Sequence, residues 1–225
     1  MFNKVENHVI AIDGPVAAGK TAVGHAISGR LGYRFLDTGS MYRAVTWAAL
    51  QKGINLSDDK ALTDAAGSIT LNICFIRGGA RISVGDTDIT EYLRAEDIEL
   101  NVSRVASVQG VRKILVHKQR AVALEGNIVM VGRDIGSVVL PNAKLKIFLK
   151  ASRDERARRR YRELIRKGES VTYGNILDQL TKRDGVDSNR EHSPLKIPYD
   201  SEVIETEGLD IESVVDKIIK LIGES

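Results

Sequence analysis

The chain has 225 residues, 43% hydrophobic and 28% charged, which is the composition of a globular protein with a sizeable core. Its 33 basic and 30 acidic residues leave a net charge of +3, too near balance to imply nucleic acid. No apolar run approaches the roughly 20 residues that span a bilayer, residues 1–8 lack the cationic start and apolar core of a signal peptide, and the lone Cys74 forbids an intrachain disulfide and points to a reducing cytoplasm.

In chain order, Val9-Ile10-Ala11-Ile12 has the apolar continuity of a buried strand. Directly after it, Gly14-Pro15-Val16-Ala17-Ala18-Gly19-Lys20-Thr21 fits the phosphate-binding pattern G-x-x-x-x-G-K-[ST], and Val23, Ile27 and Leu31 follow at helical spacing. Strand, glycine loop and helix give that motif its chemistry. Backbone N–H groups wrap a polyphosphate and the helix N-terminus adds positive potential. Lys20 would reach the terminal phosphates and Thr21 would hold Mg²⁺. Arg34-Phe35-Leu36 reads as a short strand ending at Asp37-Thr38-Gly39, and a helix from near Ser40 carries Met41, Val45, Ala48 and Ala49 on one face before stopping at Gly53. Residues 57–66 predict a further short helix with Ser57 as its N-cap.

The texture then changes. Leu71 to Ile76 and Arg81 to Val84 alternate in the strand sense around Gly78-Gly79, so residues 68–93 are expected to form a small antiparallel insert. Helical patterning returns over 95–125, broken at Gln109-Gly110, with Val111, Leu115 and Val122 apolar. Ile128 to Val131 and Leu145 to Leu149 read as central strands of a parallel sheet. Arg153, Arg156, Arg158, Arg159, Arg160, Arg162 and Arg166 crowd a stretch without glycine or proline, which predicts a helix ended by Gly168. Arg183 and Arg190 bracket Asp187 in a segment of low apolar content that reads as a loop. Val203-Ile204-Glu205 is a last strand, and Asp210 caps a closing helix whose Ile211, Val214, Val215, Ile218 and Ile222 share one face. Strands alternating with helices behind a phosphate loop define an α/β chain with a parallel sheet covered on both faces.

The residues also exclude chemistry. His8, His25, His117 and His192 are scattered without metal-ligand spacing, and neither G-x-S-x-G nor G-x-G-x-x-G occurs. Phosphoryl transfer remains, a reaction that needs positioning, Mg²⁺ and positive charge more than covalent chemistry. Arg43, just after the second strand, and Arg133 with Asp134, after the run ending at Val131, are expected at the carboxyl edge of the sheet, where ligands bind in such folds.

At these positions the sequence resembles the bacterial cytidylate kinases. Ile12-Asp13-Gly14-Pro15 leads into the phosphate loop as in that family, and Leu36-Asp37-Thr38-Gly39-Ser40-Met41-Tyr42-Arg43 is similar to its L-D-[ST]-G-A-x-Y-R. Gly132-Arg133-Asp134-Ile135-Gly136 matches its G-R-D-[IM]-G, and Glu155-Arg156-Ala157-Arg158-Arg159-Arg160 looks like its E-R-A-x-R-R. Arg183-Asp184, Asp187 and Arg190, then Pro194-Leu195, resemble its R-D-x-x-D-x-x-R…P-L. The motifs run in family order over nearly the whole chain.

The resemblance implies a P-loop kinase fold in one domain over residues 1–225. It has a five-stranded parallel sheet flanked by helices, a small antiparallel β insert for the monophosphate near 68–93 and a helical, arginine-rich lid near 153–170. Gly14, Pro15, Val16, Ala17, Ala18, Gly19, Lys20, Thr21 and Ala22 would bind ATP, with Arg156, Arg159 and Arg160 closing over it. Thr38, Tyr42, Arg43, Arg133 and Arg190 would surround the acceptor's phosphate, Arg183 and Asp187 would hold its ribose hydroxyls, and Ser103, Arg112 and Asp134 would read its base. Lys20, Arg133 and Arg190 would be catalytic, with Thr21 as the protein's ligand to Mg²⁺. A carboxylate suits cytosine, whose N4 amino group donates, whereas uracil would set a carbonyl against it.

Three features depart from the family pattern. Ser40 stands for the usual alanine, and Thr21-Ala22 replaces Ser-Thr or Gly-Thr while keeping a hydroxyl beside Lys20. Val131 stands where an acid is common; if that acid organises Mg²⁺ or water, Asp13 or the substrates' phosphates must replace it.

The expected activity is Mg²⁺-dependent transfer of the γ-phosphoryl of ATP to CMP or dCMP, giving ADP and CDP or dCDP. The enzyme is expected to be a cytoplasmic monomer without membrane or nucleic-acid partners. The alternatives are a related UMP or AMP kinase, a nucleic-acid-binding P-loop ATPase that uses the arginine helix, and a non-catalytic nucleotide sensor. Glu155, Glu163 and Glu169 interrupt that helix's basic run, and only Tyr161 could stack on a base, which disfavours the ATPase.

Overall fold

The computed structural model describes residues 8–76 and 79–223; residues 1–7, on which the signal-peptide reading mostly rests, and Gly78 of the expected hairpin lie outside them. The chain opens with β1 (Val9–Asp13) and α1 (Lys20–Leu31). It continues through β2 (Arg34–Asp37), α2 (Gly39–Gln51), α3 (Asp59–Ser68), β3 (Leu71–Ile76), β4 (Gly79–Val84) and β5 (Thr87–Asp88). A 3-10 turn (Thr90–Arg94) leads to α4 (Glu96–Ser107), α5 (Gln109–Leu124) and β6 (Ile128–Val131). A wide π turn (Ile135–Val139), β7 (Leu145–Lys150), α6 (Arg153–Arg166), α7 (Tyr173–Asn189), β8 (Glu202–Glu205) and α8 (Ile211–Gly223) complete it. The strands form a five-stranded parallel sheet in the order β2-β6-β1-β7-β8 and a three-stranded antiparallel sheet, β3-β4-β5. Among the described residues, no helix is long and apolar enough to cross a membrane.

Two compact units divide the chain, one holding Ser28–Met130 with the start of β1, the other Ile10–Ile27 with everything from Val131 onward. In the first unit the small sheet exists because its strands alternate. Leu71, Ile73 and Phe75 are half-buried while Asn72, Cys74 and Ile76 are exposed, and β3 pairs with β4 from Leu71↔Val84 to Ile76↔Gly79. Its covered face rests on Ala44 and Trp47 of α2, with Ile82, Ile89 and Leu93 buried beneath. Sequence reading placed the N-cap of α3 one residue early. Asp58 accepts the Ala61 N–H at 2.9 Å, while the Ser57 N–H is itself taken by the Asn55 side chain. The break between α4 and α5 also falls earlier than expected. Val108, buried, is the extended residue, and Gln109 and Gly110 form the first turn of α5.

In the second unit β1 is buried from Ile10 to Asp13, as its apolar sequence demands, and pairs in parallel with β7 from Ile10↔Leu145 to Asp13↔Phe148. β7 pairs in turn with β8, from Ile147↔Glu202 to Lys150↔Glu205. Asp210 caps α8 as expected, accepting the Ser213 N–H, and Val214, Val215 and Ile218 are buried. Ile211 departs from that face: at the exposed first turn it remains 47% accessible.

A larger expectation also failed. The segment read as a loop around Asp187 is helical to Asn189, so Arg183, Asp184 and Asp187 stand on α7 and only Arg190 lies beyond its end. Apolar content was a poor guide there, because α7 needs only a narrow stripe. Ile176 and Leu180 pack with Ala157 and Leu164 of α6, and that contact outweighs Gly174 and Gly185 within the helix.

In the first unit, α3 and α5 pack so closely that a Cβ on Gly110 would stand 2.2 Å from Thr63 Oγ1 and 2.4 Å from its methyl carbon. Gly110→Ala should therefore destabilise the fold by about 1–3 kcal/mol, read as a lower thermal midpoint. Adding Thr63→Ala should recover part of that loss; a wild-type midpoint for the single variant would contradict the contact.

Candidate active site

The phosphate loop is shaped by the strands beside it. A Cβ on Gly14 would stand 2.3 Å from the Leu149 carbonyl oxygen at the end of β7, so only glycine lets the chain leave β1 there. Ala17 holds φ +59 and Gly19 φ +96, the left-handed backbone that turns successive N–H groups inward. Holding an alanine there costs on the order of 1 kcal/mol, a strain of the kind stored at ligand clamps. Lys20, 7% exposed, donates to the Pro15 carbonyl at 2.6 Å, laying its ammonium along the loop. Thr21 and Ala22 are exposed at the first turn of α1.

Arginines of α6 reach this loop. Arg156, 5% exposed, donates to the Val16 carbonyl (3.1 Å) and forms a two-pronged pair with Asp184 of α7 (3.1 and 2.7 Å). Arg159 bonds Glu155 (2.9 Å) and both the hydroxyl (2.9 Å) and carbonyl (2.5 Å) of Thr206, and its Nη1 would lie 3.9 Å from a Cβ on Gly19. Arg160 turns instead to Glu163 (2.9 Å). Sequence reading gave no role to Asp184, although it adjoins Arg183 in a quoted motif. Thr206, a single threonine after β8, carried no signal at all.

The end of β1 carries a second feature. Asp13, 1% exposed, accepts the Ile135 and Gly136 N–H groups at 2.7 Å each. Burial pushes its pKa up to about 6. The two backbone bonds and Lys20 pull it down, and Asp134 pushes it further up. Arg133 leaves this turn to donate from Nε to Asp187 Oδ2 at 2.7 Å, while Arg190 stands 3.9 Å from Oδ1 and donates to the Ser193 carbonyl. Burial alone would raise the Asp187 pKa; Arg133, through its charge and hydrogen bond, then Arg190 and Arg183, outweigh it and hold the carboxyl below its ordinary 3.8. Arg133 and Arg190 thus stand about Asp187, with the charge of Arg183 acting on it as well. Asp134 is buried beside them in sequence, at the head of the π turn.

The first unit gathers its own polar set at the start of α2. Thr38 and Arg43 are buried, and Arg43 donates from Nε to Glu99 of α4 at 2.7 Å. Arg94 shares the same carboxylate (3.2 Å) and reaches Asp37 (3.6 Å). The Arg112 guanidinium lies 5.3 Å from the centre of the Tyr42 ring and donates to the Ala106 carbonyl (3.0 Å). Ser103 is half-buried on α4. Glu99, which fixes Arg43, was missed because nothing marks it among the other acids at the start of that helix.

A phosphate loop at the head of a parallel sheet, with buried arginines paired to carboxylates, defines a P-loop phosphotransferase. The family model described as cytidylate kinase matches residues 10–224. A curated cytidylate kinase of Bacillus subtilis (strain 168) is 42% identical over 215 residues, covering 96% of each chain, and one of Geobacillus sp. (strain WCH70) is 44% identical over 215 residues with the same coverage. A solved structure of an uncharacterized protein from Eubacterium ventriosum ATCC 27560 superposes with a TM-score of 0.55 at 15% identity, covering 98% of this chain and all of that one, a likeness of fold alone. The chain belongs to the cytidylate kinase family. Its activity is that of a cytidylate kinase, and membership implies ATP as donor and CMP as acceptor.

Asp187→Asn leaves Arg133, whose side chain is 19% exposed, facing a neutral group and should cost about 1–3 kcal/mol near neutral pH. Because the native pKa lies below 3.8, that contribution is complete above 3.8 and is lost only as pH falls through the native value. Urea melts of both proteins should show a constant gap from about pH 7 to about pH 5 and a narrowing gap only under more acid conditions. A gap that closes already near pH 6 would contradict the assigned ionisation.

Proposed function

We propose that the enzyme transfers the γ-phosphoryl of ATP to CMP and dCMP with Mg²⁺, through the residues that the sequence motifs single out. The observation that carries this reading is the ion cluster of Arg133, Asp187 and Arg190, which stands in one unit with the phosphate loop and its lysine. On the donor side, residues 14–22 cradle the polyphosphate, Lys20 neutralises charge on the migrating group, and Arg156 and Arg159 border the loop from α6. Residues 153–170 act as the lid whose closure keeps water from ATP. Arg160, paired with Glu163, is its least committed member.

On the acceptor side, Thr38, Tyr42, Arg43, Arg133 and Arg190 hold the phosphate and Ser103, Arg112 and Asp134 read the base. Arg183 and Asp187 hold the ribose, and residues 68–93 form the insert that serves this side. No general base is required, since the attacking phosphate oxygen is ionised at neutral pH. Glu99 orients Arg43 as Asp187 orients Arg133, in both cases through Nε, so the ends of the guanidinium fork are not consumed by the pair.

Thr21 is the residue that the phosphate-loop motif offers to Mg²⁺. Thr21 offers a hydroxyl at the exposed first turn of α1, both Asp13 oxygens are engaged by backbone N–H groups, and Val131 is buried. Among the described residues no group of three or more His, Cys, Asp or Glu could hold a metal. Mg²⁺ would thus arrive with ATP, taking one ligand from Thr21 and the rest from phosphate and water, and would spread the negative charge of the transferring group. The protein is read as a cytoplasmic monomer, in keeping with its single exposed cysteine.

Lys20→Ala should lower kcat by about 100-fold or more while the thermal midpoint stays near wild type; retained turnover would remove Lys20 from the chemistry. Asp134→Asn should lower the ratio of kcat/KM for CMP to that for UMP by about tenfold or more. An unchanged ratio would move base reading to other residues.

A further inference from the structure

Arg133 and Asp134 lie on a turn that is fixed on both sides to the end of β1. Before them, the Gly132 N–H donates to the Ile12 carbonyl at 3.0 Å. After them, the Ile135 and Gly136 N–H groups donate to the two carboxylate oxygens of Asp13. Beyond that tie the turn closes on itself, with the Asp134 carbonyl accepting the Val138 and Val139 N–H groups. The next residue along the chain from Asp13 is Gly14, the first of the phosphate loop. One short piece of backbone therefore sets the donor loop on one side and the acceptor-facing turn on the other.

We propose that Asp13 is a positioning residue for the acceptor, holding the Arg133-Asp134 turn in register with the phosphate loop by accepting the Ile135 and Gly136 N–H groups. The inference rests on the roles proposed above for Arg133 and Asp134. It gives Asp13 the task of fixing two backbone donors, apart from any part it has in holding Mg²⁺. Only a carboxylate does this at a buried position of this size: two parallel donors need two acceptors, and asparagine would turn its own N–H₂ toward one of them. Serine or threonine offers a single oxygen. Gly136 belongs to the same device. A Cβ there would stand 3.3 Å from Asp13 Oδ2, 3.3 Å from Lys146 Cδ and 3.2 Å from Pro198 Cγ, so glycine lets the N–H approach the carboxylate closely.

The test is a comparison of Asp13→Asn, Gly136→Ala and Arg133→Gln by steady-state kinetics with CMP and with ATP varied in turn, alongside thermal melts. Asp13→Asn should raise KM for CMP by about tenfold or more, with KM for ATP within about twofold of wild type, because a displaced turn misplaces the acceptor and leaves the donor loop intact. Gly136→Ala, which crowds the same carboxylate without removing it, should give the same selective defect on a smaller scale. It is also the variant that decides the matter if Asp13→Asn does not fold. A merely structural tie would lower the melting temperature without this separation of the two KM values. Equal loss toward CMP and ATP, or no loss, in a protein whose Arg133→Gln variant is impaired toward CMP would overturn the role of Asp13. An Arg133→Gln variant with wild-type KM for CMP would overturn the acceptor assignment itself, and this inference with it.

Discussion

The last residues of β1 carry a constraint on which the active-site chemistry depends. The strand is buried and its direction is set by parallel pairing to β7, so where it stops is fixed by the core rather than by the ligand. At that point Gly14 passes so close to the Leu149 carbonyl that no side chain fits, and Asp13 turns a buried carboxylate onto the backbone of residues 135 and 136. Two charge-assisted bonds of about 1.5–3 kcal/mol each offset part of the cost of keeping that carboxylate out of water, and burial still leaves its pKa raised to about 6. The core thereby dictates the position of the backbone groups to which the proposed function gives the phosphates.

Charge is handled by a common device in both units. Arg43 is paired with Glu99, Arg133 with Asp187 and Arg156 with Asp184, each guanidinium buried or largely so and each carboxylate accepting at 2.7 Å. Buried ion pairs contribute little net stability, because desolvation offsets most of their attraction. Under the proposed function their value is geometric: an arginine held by Nε or by a two-pronged bond has lost its rotamer freedom in advance, so binding a phosphate need not supply that entropy.

The fold was legible in the sequence where local pattern and tertiary packing agree. The apolar run of β1 ahead of the glycine-spaced phosphate loop, and the alternation of β3 before a glycine turn, each agree with the packing that the structure shows. The segment around Asp187 was not legible for the opposite reason. It carries only a narrow apolar stripe, and its helix exists because Ile176 and Leu180 find α6. Of the candidate site, the arginines could be named from motifs, yet their partners could not. Glu99 and Thr206 are ordinary residues in sequence and acquire a role only when helix and strand bring them to Arg43 and Arg159. Asp13 stood in view within Ile12-Asp13-Gly14, but its bonds reach residues more than a hundred positions away, which no local pattern encodes.

The central claim is that these arginines and the phosphate loop serve transfer to a cytidine monophosphate. The most direct measurement is ADP release from ATP and Mg²⁺ with CMP, dCMP, UMP, AMP or no acceptor present. The account predicts rapid release with CMP and dCMP, weaker release with UMP, and little with AMP or without an acceptor. Release that is the same whichever acceptor is added would contradict it.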